Sequence, residues 1–550
     1  MPTNIIKLSN LKKYFVPIIL LVGFVIRVVN PNFGSPVLYV IPDEVPNYLA
    51  AWQMLANKSL VTSSQYPPLG SHIMLPFFIL AYIYKLILHQ VSTIEQFMLF
   101  LVTHEGYFMF IPRIISALFG TCTVYVIFKI TQLIFPKQNN IYLWVLFFST
   151  FSITQIQMSH TAKPWMLSLF FYSLAIYWLI KYQINKYRIF DALIAVFFLS
   201  FAIGFHFSAV YGLGLIFIIW FFRFWRIRKL GHNYFEYLLI ILLPILSFIL
   251  FTRLMSYKYA STEFTNILFG NFQDGFFKYI IFYLKEFLFT EPVILLTFLC
   301  IIWFFKYLPK LLISIAFYSI VYFLFISITF YQSLRYMLPV LIIFPIFTGY
   351  FIYRLNLINR SGILVKIIYS IIIILAILPS CFWLSRYLQT PTFIQASSWI
   401  NQNISKDIKV ASTSIRFSPF VPNMEAINLI QKNKPGSYQK LKSLINSSIS
   451  SDNLRNIIYF EKVIDVNNVN DINKYVYNND IKYIFNYYWS YNSSLINKLD
   501  KQKYILIKRF SPMKSNDTNN IVNLIHGSAN TLETVRIERL GPIIDIIQVK

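Results

Sequence analysis

The chain of 550 residues is 57% hydrophobic and only 13% charged, with a mean hydropathy of +0.58, whereas soluble domains carry about 25% charged residues. So much apolar side chain excludes a soluble globular enzyme and a disordered or fibrous protein. The three cysteines, Cys122, Cys300 and Cys381, all lie in apolar runs, which excludes a disulfide scaffold or a cysteine-based zinc site. The net charge of +26 follows from membrane topology rather than nucleic-acid binding, because Lys and Arg accumulate in cytoplasmic loops beside anionic lipid.

Apolar runs of about 17–25 residues can cross a bilayer as helices. They fall near 14–30, 112–135, 141–158, 163–181, 189–206, 208–223, 237–254, 291–306, 310–330, 336–354 and 363–383. One further run, 73–89, is long enough to cross but carries Pro76 and Lys85 between His72 and His89. The positive-inside rule decides its place. If 73–89 does not cross and Lys7, Lys12 and Lys13 are cytoplasmic, eleven spans put five basic groups inside: Lys137, Lys181/Lys186/Arg188, Arg223/Arg226/Arg228/Lys229, Lys306/Lys310 and Arg354/Arg360/Lys366. A twelfth crossing would expel all five. Residues 1–389 are therefore expected to form a multi-spanning α-helical domain of about eleven transmembrane helices. The run at 73–89 then lies in or along the outer leaflet, within a long first external loop, 31–111, and a second external loop covers 255–290. The first span lacks a small-residue cleavage site and reads as an anchor, and no internal repeat of the transporter kind is visible.

Residues 1–389 hold 28 Lys and Arg against ten acids, while 390–550 hold 20 against 12. The tail therefore has the balance of an ordinary polar domain, and parity places it outside. IKVAST, NIIYF, IKYIFNYY and YILIKRF read as strands. ASSWINQNI reads as an amphipathic helix with Ala396, Trp399 and Ile400 on one face. The expectation is an extracytoplasmic α/β domain over 390–550.

Eight of the ten acids in 1–389 fall on the outer side. Asp43 and Glu44 stand out, adjacent in VIPDEVPNY just beyond the first span, where Pro42 and Pro46 fix the local backbone. Partial desolvation at a lipid–water boundary raises a carboxylate toward the working range of a general base. The plainer reading is that Asp43 or Glu44 caps a helix running to about Asn57. Tyr66 opens YPPLG, a stiff entry to the ambiguous run that is equally an ordinary rigid turn. Arg113 in IPRIISALFG and Arg335 in SLRYMLPV sit at outer helix ends, where a guanidinium either holds a phosphate bidentately or snorkels. Lys258 and Lys278, among aromatics in 255–290, suit a cover over a lipid phosphate or an interfacial belt. His206 in GFHFSAV can touch a phosphate or sugar, though such a histidine is more often a packing residue. No histidine pair has metal-ligand spacing, and no phosphate-cradling glycine loop is present.

In order along the chain, PDEVPNY, YPPLG, PRIISALFGTCTVYVIF, SHTAKPWMLSLFFYSLAIY, AIGFHFSAVYGL and SLRYMLPVLIIFPIF resemble the GT-C-fold, polyprenyl-phosphate-sugar-dependent glycosyltransferases, the superfamily of protein O-mannosyltransferases and lipid A aminoarabinose transferases. IQASSWINQNISKDIKVAS and GPIIDIIQVK resemble the external domain of many members. The resemblance implies a membrane glycosyltransferase that inverts the anomeric carbon. Its donor would be a sugar on polyprenyl phosphate, and its acceptor a hydroxyl of a protein, lipid or glycan on the outer face of the plasma or inner membrane. Asp43 would deprotonate the acceptor with Glu44 in support, and Arg113 would steady the first loop or the lipid phosphate. Arg335, His206, Tyr66, Lys258 and Lys278 are the remaining candidates for the donor phosphate.

No nucleotide is called for, and a divalent metal ion is the one cofactor left open. The chain departs from its relatives at Ser208, where many carry Lys, and at Lys163-Pro164, where aminoarabinose transferases carry Asp before Pro. A transporter or flippase for a lipid-linked glycan, and an inactive glycan-binding relative, stand as the competing classes.

Overall fold

The computed structural model describes residues 8–35, 37, 41, 44–60, 67–104, 106–185, 188–206, 208–209, 212, 214, 242, 276–328, 333–358, 363–414, 420–433, 454–460, 463, 468–489, 495–513 and 529–550. Two compact units emerge. One comprises Met1–Val29, Ser59–Met74 and Pro112–Leu384; the other comprises Asn30–Lys58, Leu75–Ile111 and Ser385–Lys550. The segment expected as the first external loop thus falls largely in one unit with the tail.

The helices in chain order are α1 (Leu8–Val28), α2 (Val45–Asn57), α3 (Leu69–Ile87), α4 (Ile94–Thr103), α5 (Phe110–Ile134), α6 (Asn139–Phe151), α7 (Ile153–Ser159), α8 (Trp165–Ile184) and α9 (Ile189–Phe205). After 275 come α10 (Phe276–Thr290), α11 (Ile294–Phe304), α12 (Lys310–Ile328), a 3-10 turn (Leu334–Met337), α13 (Leu338–Leu341), α14 (Phe344–Ile358) and α15 (Ile363–Tyr387). Five helices are long and apolar enough to cross a membrane, or up to eight if each bent pair forms one span, among the described residues. Eleven were expected, and the expected spans near 208–223 and 237–254 fall almost wholly outside the described residues. The run at 73–89 forms α3, which meets the length and composition of a span. Its Lys85 is 7% exposed; Nζ donates to Gln90 Oε1 at 2.6 Å and lies 4.3 Å from the Phe100 ring centroid.

Three spans are broken. α6 and α7 meet at 50°, α10 and α11 at 108°, and the α13 and α14 segments at 52°. Pro292 and Pro345 stand at the second and third breaks, where a missing N–H interrupts the ladder. The first break, at Ser152, is held by charges instead. Arg27 of α1, 1% exposed, donates Nη1 to the carbonyls of Gly23 and Thr150 at 3.0 Å each and Nη2 to Ser149 at 3.1 Å. It thereby answers the orphan carbonyls at the end of α6. The Glu291 carboxylate accepts from Ser152 Oγ at 2.7 Å and from the Thr154 backbone N–H at 2.9 Å, which answers the start of α7. A cation at a helix C-terminus and an anion at an N-terminus each complement the helix dipole. All three breaks line one cavity, together with Pro379 of α15.

Around these breaks the helices pack closely at small residues, as membrane interfaces require. A Cβ on Gly349 of α14 would stand 2.7 Å from Val145 Cγ2 and 3.0 Å from the Ile141 carbonyl of α6. On Gly120 of α5 it would stand 2.3 Å from Ser159 Oγ.

In the second unit, α2 starts at Glu44 with Pro46 in its first turn and ends at Lys58 in the left-handed region. Tyr48, Trp52, Phe78, Phe97 and Phe108 form a buried aromatic cluster. The tail adds α16 (Thr392–Asn403), β1 (Val410–Ser412), β2 (Val421–Pro422), α17 (Met424–Asn433), β3 (Leu454–Arg455), β4 (Ile457–Tyr459), α18 (Val469–Asn478), β5 (Tyr483–Tyr488), β6 (Tyr504–Phe510), α19 (Thr531–Arg536) and β7 (Ile543–Val549). Five strands form a sheet in the order β4-β1-β5-β7-β6, with β1 parallel to β4 and β5, and β7 antiparallel to β5 and β6. Four of them arise within the stretches read as strands, and α16 covers ASSWINQN up to its cap at Ile404, with Ala396 and Ile400 buried and Trp399 half-buried. Ala411, Ile458, Ile484 and Ile547 meet in the core. The buried Asp545 is held by Arg509 at 2.6 and 2.8 Å and by the Tyr488 hydroxyl at 3.0 Å.

Replacement of Gly120 by Ala is expected to destabilise the protein by about 1–3 kcal/mol through overpacking. A thermal-unfolding scan in detergent checks this, and adding Ser159→Ala, which removes the clashing hydroxyl, should restore part of the loss.

Candidate functional site

The polar character of the membrane unit concentrates in one stretch. From Ser152 to Leu169 every residue is buried, although the stretch includes Gln155, Gln157, Ser159, His160, Thr161 and Lys163. It contains α7 and the turn into α8, so the charge-braced break at Ser152 determines where these groups go.

At the N-terminus of α8, Trp165 stacks on His206, the extended residue that closes α9, with ring centroids 3.6 Å apart and 29° between planes. Tyr336 meets Trp165 edge-on at 5.2 Å. The Arg335 guanidinium lies 5.2 Å from the Tyr336 ring and 5.7 Å from that of Trp165. Arg335 is 5% exposed, Lys163 1% and His206 6%. Both Arg335 and Lys163 are close enough to act electrostatically on His206. The Ser208 backbone N–H donates to His206 Nδ1 at 3.1 Å, which assigns the proton of the neutral ring to Nε2. His206 and Arg335 thus gather against two aromatic walls, with the Lys163 ammonium within electrostatic reach of His206. Such a group suits a phosphate attached to an apolar chain, since guanidinium, ammonium and imidazole N–H all donate to anionic oxygen.

Nearby on the chain, His160 has a second fixed tautomer. Trp383 Nε1 donates to its Nδ1 at 2.9 Å, and its Nε2 lies 2.9 Å from the Ile26 carbonyl. Arg113, 3% exposed in the first turn of α5, acts electrostatically on this histidine, as does Arg27.

Of the residues singled out in the sequence, His206 and Arg335 are brought together, and Arg113 lies on the His160 side of the buried stretch. Lys278 is exposed on α10. Glu44 is fully buried at the N-cap position of α2, without a side-chain capping hydrogen bond. Asp43, Tyr66 and Lys258 lie outside the described residues. Lys163, Trp165 and Tyr336 are added by the structure. In the sequence, Lys163 was visible only as a departure from the pattern, although a lysine between two apolar spans beside Pro-Trp was itself a signal. Among the described residues no three His, Cys, Asp or Glu side chains gather in a way that would hold a metal ion.

No protein-family model matches the sequence, and no curated protein sequence does either. The structure does have counterparts. It is similar to ArnT from Cupriavidus metallidurans in the apo state, with 12% identity, a TM-score of 0.52 and 98% of each chain covered. The same protein bound to undecaprenyl phosphate aligns with 10% identity, a TM-score of 0.51 and 98% coverage of each chain. The fold is that of the GT-C membrane glycosyltransferases.

An amphiphile with a phosphate head, such as dodecyl phosphate, is expected to raise the thermal midpoint of the wild-type protein. Arg335→Met or Lys163→Met should weaken that effect about ten- to hundredfold in ligand concentration, the equivalent of one lost hydrogen bond to a charged group.

Proposed function

We propose that the protein is a membrane glycosyltransferase that moves a sugar from a polyprenyl-phosphate donor to an acceptor hydroxyl at the outer face of the membrane. The observation that carries this reading is the gathering of His206 and Arg335 against Trp165 and Tyr336, with Lys163 in electrostatic reach of His206, in a chain of GT-C fold. Support comes from its full-length similarity to ArnT of C. metallidurans, a protein solved with undecaprenyl phosphate bound.

In this reading the cationic group receives the donor phosphate. The acceptor oxygen attacks the anomeric carbon from the face opposite the phosphate, so configuration inverts. The new C–O bond forms as the bond from the anomeric carbon to the phosphate oxygen breaks, and the electron pair leaves on the lipid phosphate. Arg335, Lys163 and His206 Nε2–H stabilise the growing negative charge there, so the leaving group needs no acid. Asp43 takes the acceptor proton as general base, and Glu44 supports it. Arg113 steadies the first loop or the lipid phosphate. The acceptor is a hydroxyl of a protein, lipid or glycan, and the N-terminus is cytoplasmic with the C-terminal α/β part extracytoplasmic.

One observation favours a second reading. Broken helices are a recurring device of transporters, and three breaks converge here. A flippase for a lipid-linked glycan would use the same phosphate-binding group without cleaving the donor.

The two readings separate on one assay. Purified protein supplied with a panel of polyprenyl-phosphate sugars and acceptor hydroxyls should release free polyprenyl phosphate, and Asp43→Asn should lose about 10²–10⁴-fold of that rate while keeping the wild-type thermal midpoint. Donor that crosses liposomes intact, with no release in either protein, would favour the transporter.

A further inference from the structure

α15 ends in a long uncharged run. Between Lys366 and Arg386 lie nineteen residues without a charged side chain, about 28 Å of helix against a hydrocarbon core of about 30 Å. Arg386 is therefore placed at headgroup level. Two contacts tie this end down: Asn30 Nδ2, two residues beyond α1, donates to the Tyr387 carbonyl at 2.9 Å, and Phe33 stacks on Tyr387 at 4.3 Å.

The short helix α19 is bonded to the same level. Arg386 Nε donates to the Thr534 carbonyl at 3.2 Å. A full capping box between Asn530 and Glu533 holds the helix despite its six residues. Thr534 faces inward and is buried, while Leu532 and Val535, spaced i and i+3, are 46% and 41% exposed. Arg536 is exposed beside them, and Leu388, next after α15, is 59% exposed. Two exposed aliphatic side chains on one helical face, one hydrogen bond from a headgroup-level arginine, are well placed for burial in lipid.

We propose that α19 is a membrane-surface helix: Leu532 and Val535 enter the leaflet that α15 leaves, with Arg386 and Arg536 among its headgroup phosphates. The partner is the lipid surface itself, matched by apolar side chains at the depth of the acyl boundary and arginines at the depth of the phosphates. This attachment restrains the C-terminal sheet through Thr392, whose N–H bonds to the Leu540 carbonyl and whose Oγ1 bonds to the Pro542 carbonyl. It does not depend on the proposed chemistry.

The test uses the full chain in vesicles of phosphatidylcholine and phosphatidylglycerol, with the native cysteines replaced by Ser. Single cysteines at Leu532, Val535 and, as the depth reference, Leu388 carry an environment-sensitive fluorophore. Lipid-like emission at 532 and 535, quenched by doxyl-labelled lipid as at 388 and shielded from aqueous iodide, is the expected result. Water-like, iodide-quenched emission at 532 and 535 in a folded protein whose 388 label is lipid-quenched would overturn the proposal. Should a label at one of the two positions unfold the protein, the other decides alone.

Discussion

Within a bilayer no water is available to satisfy a backbone group that a helix break sets free. The break between α6 and α7 exists because two charged side chains from elsewhere in the chain do that work. Arg27 reaches from α1 to the carbonyls that end α6, and Glu291 reaches from the turn after α10 to the Ser152 hydroxyl and the Thr154 N–H at the start of α7. The two act on each other electrostatically as well. Each charge would be costly alone in apolar surroundings; opposite in sign and each bonded to groups at the break, they turn a helical defect into a fixed corner. Everything that follows in the chain inherits its direction from that corner. α7 carries the buried glutamines, its end presents His160 to Trp383, and the turn beyond places Trp165 against His206 and Arg335.

This arrangement explains how so many polar side chains persist inside an apolar chain. His160 is locked between Trp383 and the Ile26 carbonyl, His206 takes the Ser208 N–H, and the Arg335 guanidinium lies near the Trp165 and Tyr336 rings. The tautomers are set by donors on the protein, which leaves the proton on Nε2 of both rings.

Much of the architecture was legible in the sequence. Apolar run length announced the helices, and alternation with Tyr and Ile in the tail announced β4, β5 and β6. Pro46 in the first turn and Lys58 past the end matched the expected extent of α2. His206 and Arg335 could be chosen because charged or polar residues at the ends of apolar runs are scarce. What could not be read was convergence. Nothing in the local pattern joins Lys163 to Arg335, 172 positions apart, or Arg27 to Glu291, since long-range pairing leaves no periodic trace in a single chain. The breaks were equally hidden: 141–158 reads as one continuous span, and Ser152 is not a residue that ends helices by propensity. Glu291 counted only as one more outer acid, yet it supplies the cap that its partner helix lacks.

The shared cavity at the three breaks has a mechanical meaning. Rods bent at separate heights can flex independently, but here the elbows of α6–α7, α10–α11 and α13–α14 form walls of one space together with Pro379. A change of angle at one elbow moves a wall of the other two. The three elbows are therefore coupled through one shared cavity, while α6 and α14 are held in close approach where Gly349 meets Val145 and Ile141.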